Sequence, residues 1–461
     1  MVGVPTSSQS GSDAPVPRLS AWLEPVVGPV HHALDEVEGP RYWWAGPLDV
    51  EGLALGSVRA AVTAYRLLTG EQGLTVSAQQ VAGAFASQAH LRVDGRTPQM
   101  FAPLSRWFRA ADGWVRLHGN YPHHVTALRE VYGVTEPEEL ARALRDRRAA
   151  DIEREVDSAG GIAAALRTPD EWLQSTAGRA VADEPWIRWR FGGAVAARPA
   201  GPGLSGVKVL DLTRVIAGPT GTRLLAQLGA DVLRVDPPHR PEILAQYLDT
   251  GAGKRSADAD FAETDTRSRL EALLGDTDVV VTGYRPGALD RWGLSEDALR
   301  ERHPHLVVVV LDAYGDRGPW ARRRGFDSIV QAATGIGYLY GSYPDGSWRP
   351  GALPVQALDY ATGYGVAAAV MALLVRRSRQ GTGSAHLSLA RTAHLLLQSP
   401  APAGAESRQL EIVRQETQCS HGLLSQAVGP LSRGGVPLPL GAPARYAAAD
   451  LSWRASRAQT D

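Results

Sequence analysis

Alternation of strand and helix from Val207 onward limits this chain more than any other feature. Val207-Lys208-Val209-Leu210-Asp211-Leu212 reads as a strand, and Gly218-Pro219 opens a helix over Thr220 to Leu228. Gly229-Ala230 ends that helix, and Asp231-Val232-Leu233-Arg234-Val235 is the next strand. A right-handed crossover makes the two strands parallel neighbours. Asp278 to Val281 and Leu306 to Leu311 contain continuous apolar runs, the pattern of strands covered on both faces. Helical stretches at Arg267 to Leu274 and Glu296 to Arg302 alternate with them. The pattern predicts an α/β fold: an open, doubly wound parallel sheet, preceded by a mostly helical α+β part.

The rest of the chain divides around that sheet. Residues 1–17 are rich in Ser, Gly and Pro and read as a disordered tail. Residues 18–193 form a small-domain-like part. Apolar residues recur at helical spacing over Leu53 to Leu68 and Val76 to Gln88, and Ser105 to His118 reads as strand, Asp-Gly turn, strand. Residues 194–206 are an Ala/Gly/Pro linker, 207–395 the α/β domain, and 396–461 an irregular segment.

Charge and cysteine usage exclude several classes. The 461 residues carry 48 basic and 49 acidic side chains, a formal net charge of −1. That balance points away from nucleic acid and from anionic membrane surfaces. The single cysteine, Cys419, rules out an intrachain disulfide and a Cys-based zinc site, and no apolar leader opens the chain. The expectation is a cytoplasmic protein. The longest apolar helix is expected over Val366 to Val375, too short for a bilayer. His118, His123 and His124 fall close together, but no carboxylate is near them in sequence and their spacing matches no ligand pattern. A surface loop opening a helix is expected there, and no metal.

Loops at the carboxyl ends of strands are where open α/β sheets bind ligands. The first is Thr213-Arg214-Val215-Ile216-Ala217-Gly218-Pro219-Thr220. It is not G-x-G-x-x-G and lacks a Walker lysine, which speaks against a dinucleotide dehydrogenase and a P-loop NTPase. The third strand ends in Thr282-Gly283-Tyr284-Arg285-Pro286-Gly287, an aromatic face and a cation suited to adenine and phosphate. Asp359 stands just before the small-residue run Val366 to Leu374, where it reads as a helix cap; Asp49 and Glu51 read the same way. The aromatic run Gly337 to Tyr343 suits an acyl-pocket wall and a packed loop equally.

Taken together, these stretches resemble the family III CoA-transferases, a group that includes formyl-CoA, carnitine and bile-acid CoA-transferases and the related α-methylacyl-CoA racemases. The resemblance runs through Val207 to Pro219 and Leu225 to Pro238. It continues in Gly253-Lys254-Arg255-Ser256, Arg285-Pro286-Gly287 and Gly325-Phe326-Asp327 with Gln331-Ala332, and ends at Gly381-Thr382-Gly383 before Leu387-Ser388-Leu389. It covers about residues 204–395. It implies a catalytic aspartate at Asp359 and CoA contacts from Val215, Ile216, Ala217, Gly283, Tyr284 and Arg285. It also implies transfer of CoA between an acyl-CoA and a carboxylic acid through an aspartyl anhydride and an aspartyl-CoA thioester. Acyl-CoA and carboxylate are then substrates, with no permanently bound cofactor. Backbone N–H groups near Gly363 are candidate oxyanion donors.

Phe326 stands where the racemases carry a histidine, and phenylalanine moves no proton. Transferase is therefore favoured; the alternatives are an acyl-CoA racemase or isomerase and a non-catalytic CoA-binding homologue. Ile216 stands where the oxalate-type enzyme has glutamine, which points away from oxalate. Residues 48–190 resemble the later part of the family placed first, as if the chain were rearranged or made of two partial copies. Family members resemble interlocked dimers, so a homodimer is one arrangement the resemblance allows.

Overall fold

A computed structural model describes residues 16–30, 37–39, 41–194, 203–401 and 407–454. Nearly all of the expected N-terminal tail and most of the expected linker lie outside the described residues.

The apolar runs become the centre of a seven-stranded sheet: β1 (Arg188–Phe191), β2 (Lys208–Leu212), β3 (Asp231–Asp236), β4 (Arg255–Asp258), β5 (Val279–Thr282), β6 (Val307–Asp312) and β7 (Gly383–Ser388). Their order is β4-β3-β2-β5-β6-β7-β1. All neighbours from β4 to β7 are parallel, with Val279 opposite Val209 on one side and Val307 on the other. Strand order reverses between β2 and β5, and such a reversal opens a crevice at the strands' carboxyl ends. β1 differs from expectation. It runs antiparallel at the edge and comes from the N-terminal part, so that part completes the sheet and does not stand aside from it.

Four helices position the site: α1 (Val50–Thr69), α2 (Ala217–Gln227), α3 (Asp327–Thr334) and α4 (Ala357–Arg377). α4 packs against both α1 and α2. Small residues make the α2–α4 approach close. A Cβ on Gly221 would lie 2.5 Å from the Gly363 carbonyl oxygen, and one on Gly363 would overlap the Ala217 carbonyl oxygen. α4 starts nine residues before the expected Val366 and runs for 21 residues. By length and composition it is apolar enough to cross a bilayer, but it is wholly buried inside the protein. Helix interiors with apolar residues all round belong in such a core.

Strands Trp107–Arg109 and Trp114–Leu117 form the expected hairpin, with Phe108 opposite Val115, and Ala163–Ala165 adds a third strand. Asp49 caps α1, its side chain accepting the Gly52 N–H at 2.8 Å. The segment expected to be irregular, 396–461, instead contains strands. Arg414–Cys419 pairs with Gly422–Ala427, which pairs with Arg92–Val93, and Leu431–Arg433 pairs with Leu74–Ser77. Arg414-Gln415-Glu416-Thr417-Gln418 has no apolar face, so its strand rests on backbone pairing that hydrophobic alternation does not reveal.

Candidate active site

A cavity of about 690 Å³ opens at the carboxyl ends of β2 and β5. Val215 and Ala217 after β2, Gly283, Tyr284 and Arg285 after β5, and Asp359 on α4 all line it. Ile216 does not; it is the N-cap of α2 and is buried in the core. The N-terminal part contributes Tyr121, His123, His124 and Ile162 to the same walls. None of the aromatic run Gly337 to Tyr343 lines the cavity. Gly337 lies against Trp107 and Gly341 against Trp348, while Tyr338 and Tyr343 are exposed.

Asp359 is not a cap. The N-cap of α4 is Gln356, which offers no side-chain hydrogen bond, and Asp359 lies in the first turn. Asp327, at the start of α3, takes the capping role from outside. Its Oδ2 accepts the Asp359 N–H at 3.0 Å and it also accepts from the Leu358 backbone. Its Oδ1 accepts from Gln331. Gln331 is itself placed by accepting the Leu353 N–H at 2.8 Å. With the helix end satisfied by Asp327, the Asp359 carboxylate accepts no hydrogen bond from the described residues and faces the cavity.

Electrostatics single out this pair. Burial, and then the neighbouring Asp327, hold the Asp359 carboxyl well above the usual carboxylate range. Burial also raises Asp327, although its three donors oppose the shift. A carboxylate stripped of water and donors is a stronger nucleophile than one in solution.

The first loop is fixed by a buried network. Val215 has φ +68°, left-handed backbone that a β-branched residue rarely adopts. Its N–H donates to Glu242 Oε2 at 2.8 Å. Glu242 also accepts from Tyr121 Oη at 2.6 Å and Arg234 at 2.9 Å. Burial pushes Glu242 up, but the Arg234 and Arg214 guanidinia outweigh it and hold its carboxyl at about 2. Below the loop, buried Lys254 donates to Asp211 at 3.0 Å, the Pro219 carbonyl at 2.8 Å and Thr222 at 2.6 Å, tying β2 to α2. α2 begins without a side-chain cap; Pro219 has no N–H and the Thr220 N–H donates to the Ile216 carbonyl, which leaves the N–H groups of Ala217 and Gly218 as the candidates to meet an anionic oxygen. Gly363 offers none. It lies inside α4 against Ala217 and does not line the cavity.

The segment from His118 opens a helix, Pro122–Tyr132, as expected, and Pro122 and His123 are exposed, but His118 and His124 are buried. The His118 ring stacks on Phe326 with centroids 3.8 Å apart and planes 11° apart, and His118 Nδ1 lies 3.3 Å from His124 Nδ1. Burial pushes His118 down to about 3 and His124 to about 2, so both imidazoles are neutral. No cluster of metal-ligating side chains occurs among the described residues. At the exposed end of the cavity stand Arg240, Arg285 and Arg324. Burial, with Arg285 and Arg240, pushes the Arg324 guanidinium down, and Asp157 opposes the shift. Asp327, His124, Glu242, Arg240 and Arg324 were not assigned from sequence. Asp327 and Gln331 did lie in the matched Gly325-Phe326-Asp327 stretch, but a cap donated across 32 residues leaves no local signal.

The family model for CoA-transferase family III matches residues 204–423. The probable fatty acyl-CoA transferase of Mycobacterium tuberculosis is 35% identical over 196 residues, 40% of this chain and 49% of that protein. Human succinyl-CoA:glutarate CoA-transferase is 33% identical over 192 residues, 39% of this chain and 43% of that protein. A crystal structure of the M. tuberculosis protein superposes with a TM-score of 0.40 at 32% identity, covering 44% of this chain and 57% of that one. This chain spans about half, or less, of the length of the curated relatives it matches. The family III match extends past the expected limit of 395 into the C-terminal strands.

Proposed function

We propose that this chain transfers CoA between an acyl-CoA thioester and a carboxylic acid, with Asp359 as nucleophile. One observation carries the reading: a desolvated carboxylate that accepts no hydrogen bond from the described residues lines a cavity also lined by three guanidinia, two of them exposed. Guanidinium groups suit the phosphates of CoA, and the β2–β5 crevice suits a nucleotide. The tether between phosphates and sulfur then runs inward to Asp359.

An Asp359 oxygen attacks the thioester carbon and expels CoA thiolate, leaving a mixed anhydride. The thiolate attacks the aspartyl carbonyl, releasing the first carboxylic acid as its anion and leaving an aspartyl-CoA thioester. The acceptor carboxylate attacks that thioester, again expelling thiolate, which takes the new acyl group and frees Asp359. No net proton is consumed. Charge building on the attacked carbonyl oxygen meets the uncapped first turn of α2.

The experiment is to incubate the protein with acyl-CoA and add hydroxylamine. An Asp359 hydroxamate is expected in wild type and not in Asp359→Asn. Wild type giving neither adduct nor CoA exchange across a panel of thioesters overturns the proposal.

One observation favours a second reading. Phe326 removes the proton carrier from the motif, but His124 lines the same cavity as Asp359. Wash-in of solvent deuterium at the α-carbon, lost in His124→Ala, would support an isomerase. Its absence alongside CoA exchange leaves the transferase.

A further inference from the structure

We propose that the acyl group brought to Asp359 is apolar and uncharged beyond its thioester, a monocarboxylic acyl chain, and that dicarboxylic acyl groups are discriminated against. The inference rests on the transferase reading and narrows its substrate class.

The wall at the closed end of the cavity includes Ile162, Ala217, Leu311, Ala313 and Leu389, all buried, and half-buried Phe326. A second carboxylate carried in beside Asp359 would need a cation or several donors to replace its water. The α2 N–H groups beside Ala217 are taken by the thioester oxygen on the proposed mechanism, and among the described residues the side chains there are paired or offer a single donor. The Arg214 guanidinium is 3.6 Å from Glu242 and 3.9 Å from Asp236. Arg323 is 2.8 Å from Glu153 and 3.7 Å from Asp157. The Tyr121 hydroxyl donates to Glu242. His124 meets Phe326 edge-on and its Nδ1 lies 3.3 Å from His118 Nδ1, so its neutral imidazole offers at most one N–H, short of what a carboxylate needs. The charged group that acts on Asp359 is Asp327, and its sign is negative. Arg240, Arg285 and Arg324 line the same cavity but none of them acts on Asp359, and on the proposed function they hold the phosphates. An ω-carboxylate would thus enter a dry, apolar and already negative end, whereas an alkyl chain replaces water with matching surface.

Asp359→Asn keeps the cavity but not the chemistry, so it separates recognition from turnover. Calorimetric titration of this variant with free CoA, butyryl-CoA and succinyl-CoA is the test. Free CoA should bind, and butyryl-CoA should bind at least about tenfold more tightly than succinyl-CoA. Wild-type kcat/KM for the same two donors, with acetate as acceptor, should differ in the same direction. If free CoA binds and succinyl-CoA matches or exceeds butyryl-CoA, the substrate inference falls and the CoA site stands. If free CoA does not bind, the reading of the cavity falls and the inference with it.

Discussion

Asp327 Oδ2 accepts the backbone N–H of Asp359 at 3.0 Å, so one carboxylate caps the helix on which the other is displayed. An aspartate in the first turn ordinarily spends its side chain on the helix end. Here that duty falls to a residue of another helix, and Asp359 is left facing the cavity with no donor of its own.

Replacing Asp359 should therefore remove activity and not stability. Asp359→Asn is expected to lower turnover by about 10³-fold or more, a loss of ~4 kcal/mol in transition-state stabilisation. Its melting temperature should equal or exceed that of wild type. The sign follows from linkage: the Asp359 carboxyl is raised in the folded state, so the unfolded chain ionises first as pH rises. Stability is then lost from the ordinary carboxylate range up to the folded value. Asparagine does not ionise and avoids that loss. Thermal melts at neutral pH beside an exchange assay check both halves.

Activity needs Asp359 ionised, so it should fall as pH drops through the apparent titration of the Asp327–Asp359 pair, above the usual carboxylate range. Asp327→Asn keeps an oxygen acceptor and removes a neighbouring charge. The acid limb of its kcat/KM profile should move to lower pH by about one unit. An unmoved limb would show that Asp327 acts on the helix end alone.

Arg240, Arg285 and Arg324 should affect binding of the thioester and not its chemistry. Each change to alanine is expected to raise KM for acyl-CoA about tenfold, ~1.4 kcal/mol, with kcat largely kept. Added salt should raise the wild-type KM and have less effect in the variants. Steady-state kinetics at two ionic strengths are sufficient.

A methyl group at Gly363 has no room, because it would overlap the Ala217 carbonyl where α4 crosses α2. Gly363→Ala should cost about 1–3 kcal/mol through overpacking. The same shift moves the helix carrying Asp359 relative to the first loop, so kcat should fall as well. Denaturant titration and turnover measure the two effects separately.

Lys254→Met should be the most damaging change outside the cavity. It leaves buried Asp211 without its cation and frees the Pro219 carbonyl and Thr222. Breaking such a pair costs about 3–5 kcal/mol, which chemical denaturation would register.

The sheet and its crevice were legible because they rest on local patterns, whereas Asp359, which lines that crevice, was singled out by the resemblance alone. Val207 to Leu212 and Leu306 to Leu311 announce buried strands, and the loop after each strand can be counted from its end. What was illegible rests on long-range pairing. Asp327 reaches Asp359 from another helix, and Tyr121 meets Glu242 across 121 positions. His118 reads as solvent-facing beside Gly119 and Asn120 until Phe326 is laid against it. Asp359 lines the cavity but is not the helix cap it reads as, since its place in the first turn says nothing of who satisfies the helix end.

The strands near the chain's other end set an order of events during synthesis. Leu431–Arg433 supplies a neighbour to Leu74–Ser77, and Gly422–Ala427 supplies one to Arg92–Val93. The first part emerges from the ribosome long before those partners exist, so its strands wait with exposed edges while the central sheet is made. Completion of the early segment is thereby delayed until those strands have been made. Translation stopping just before Leu431 would release a chain in which Asp359 has been made but whose first sheet has an open edge.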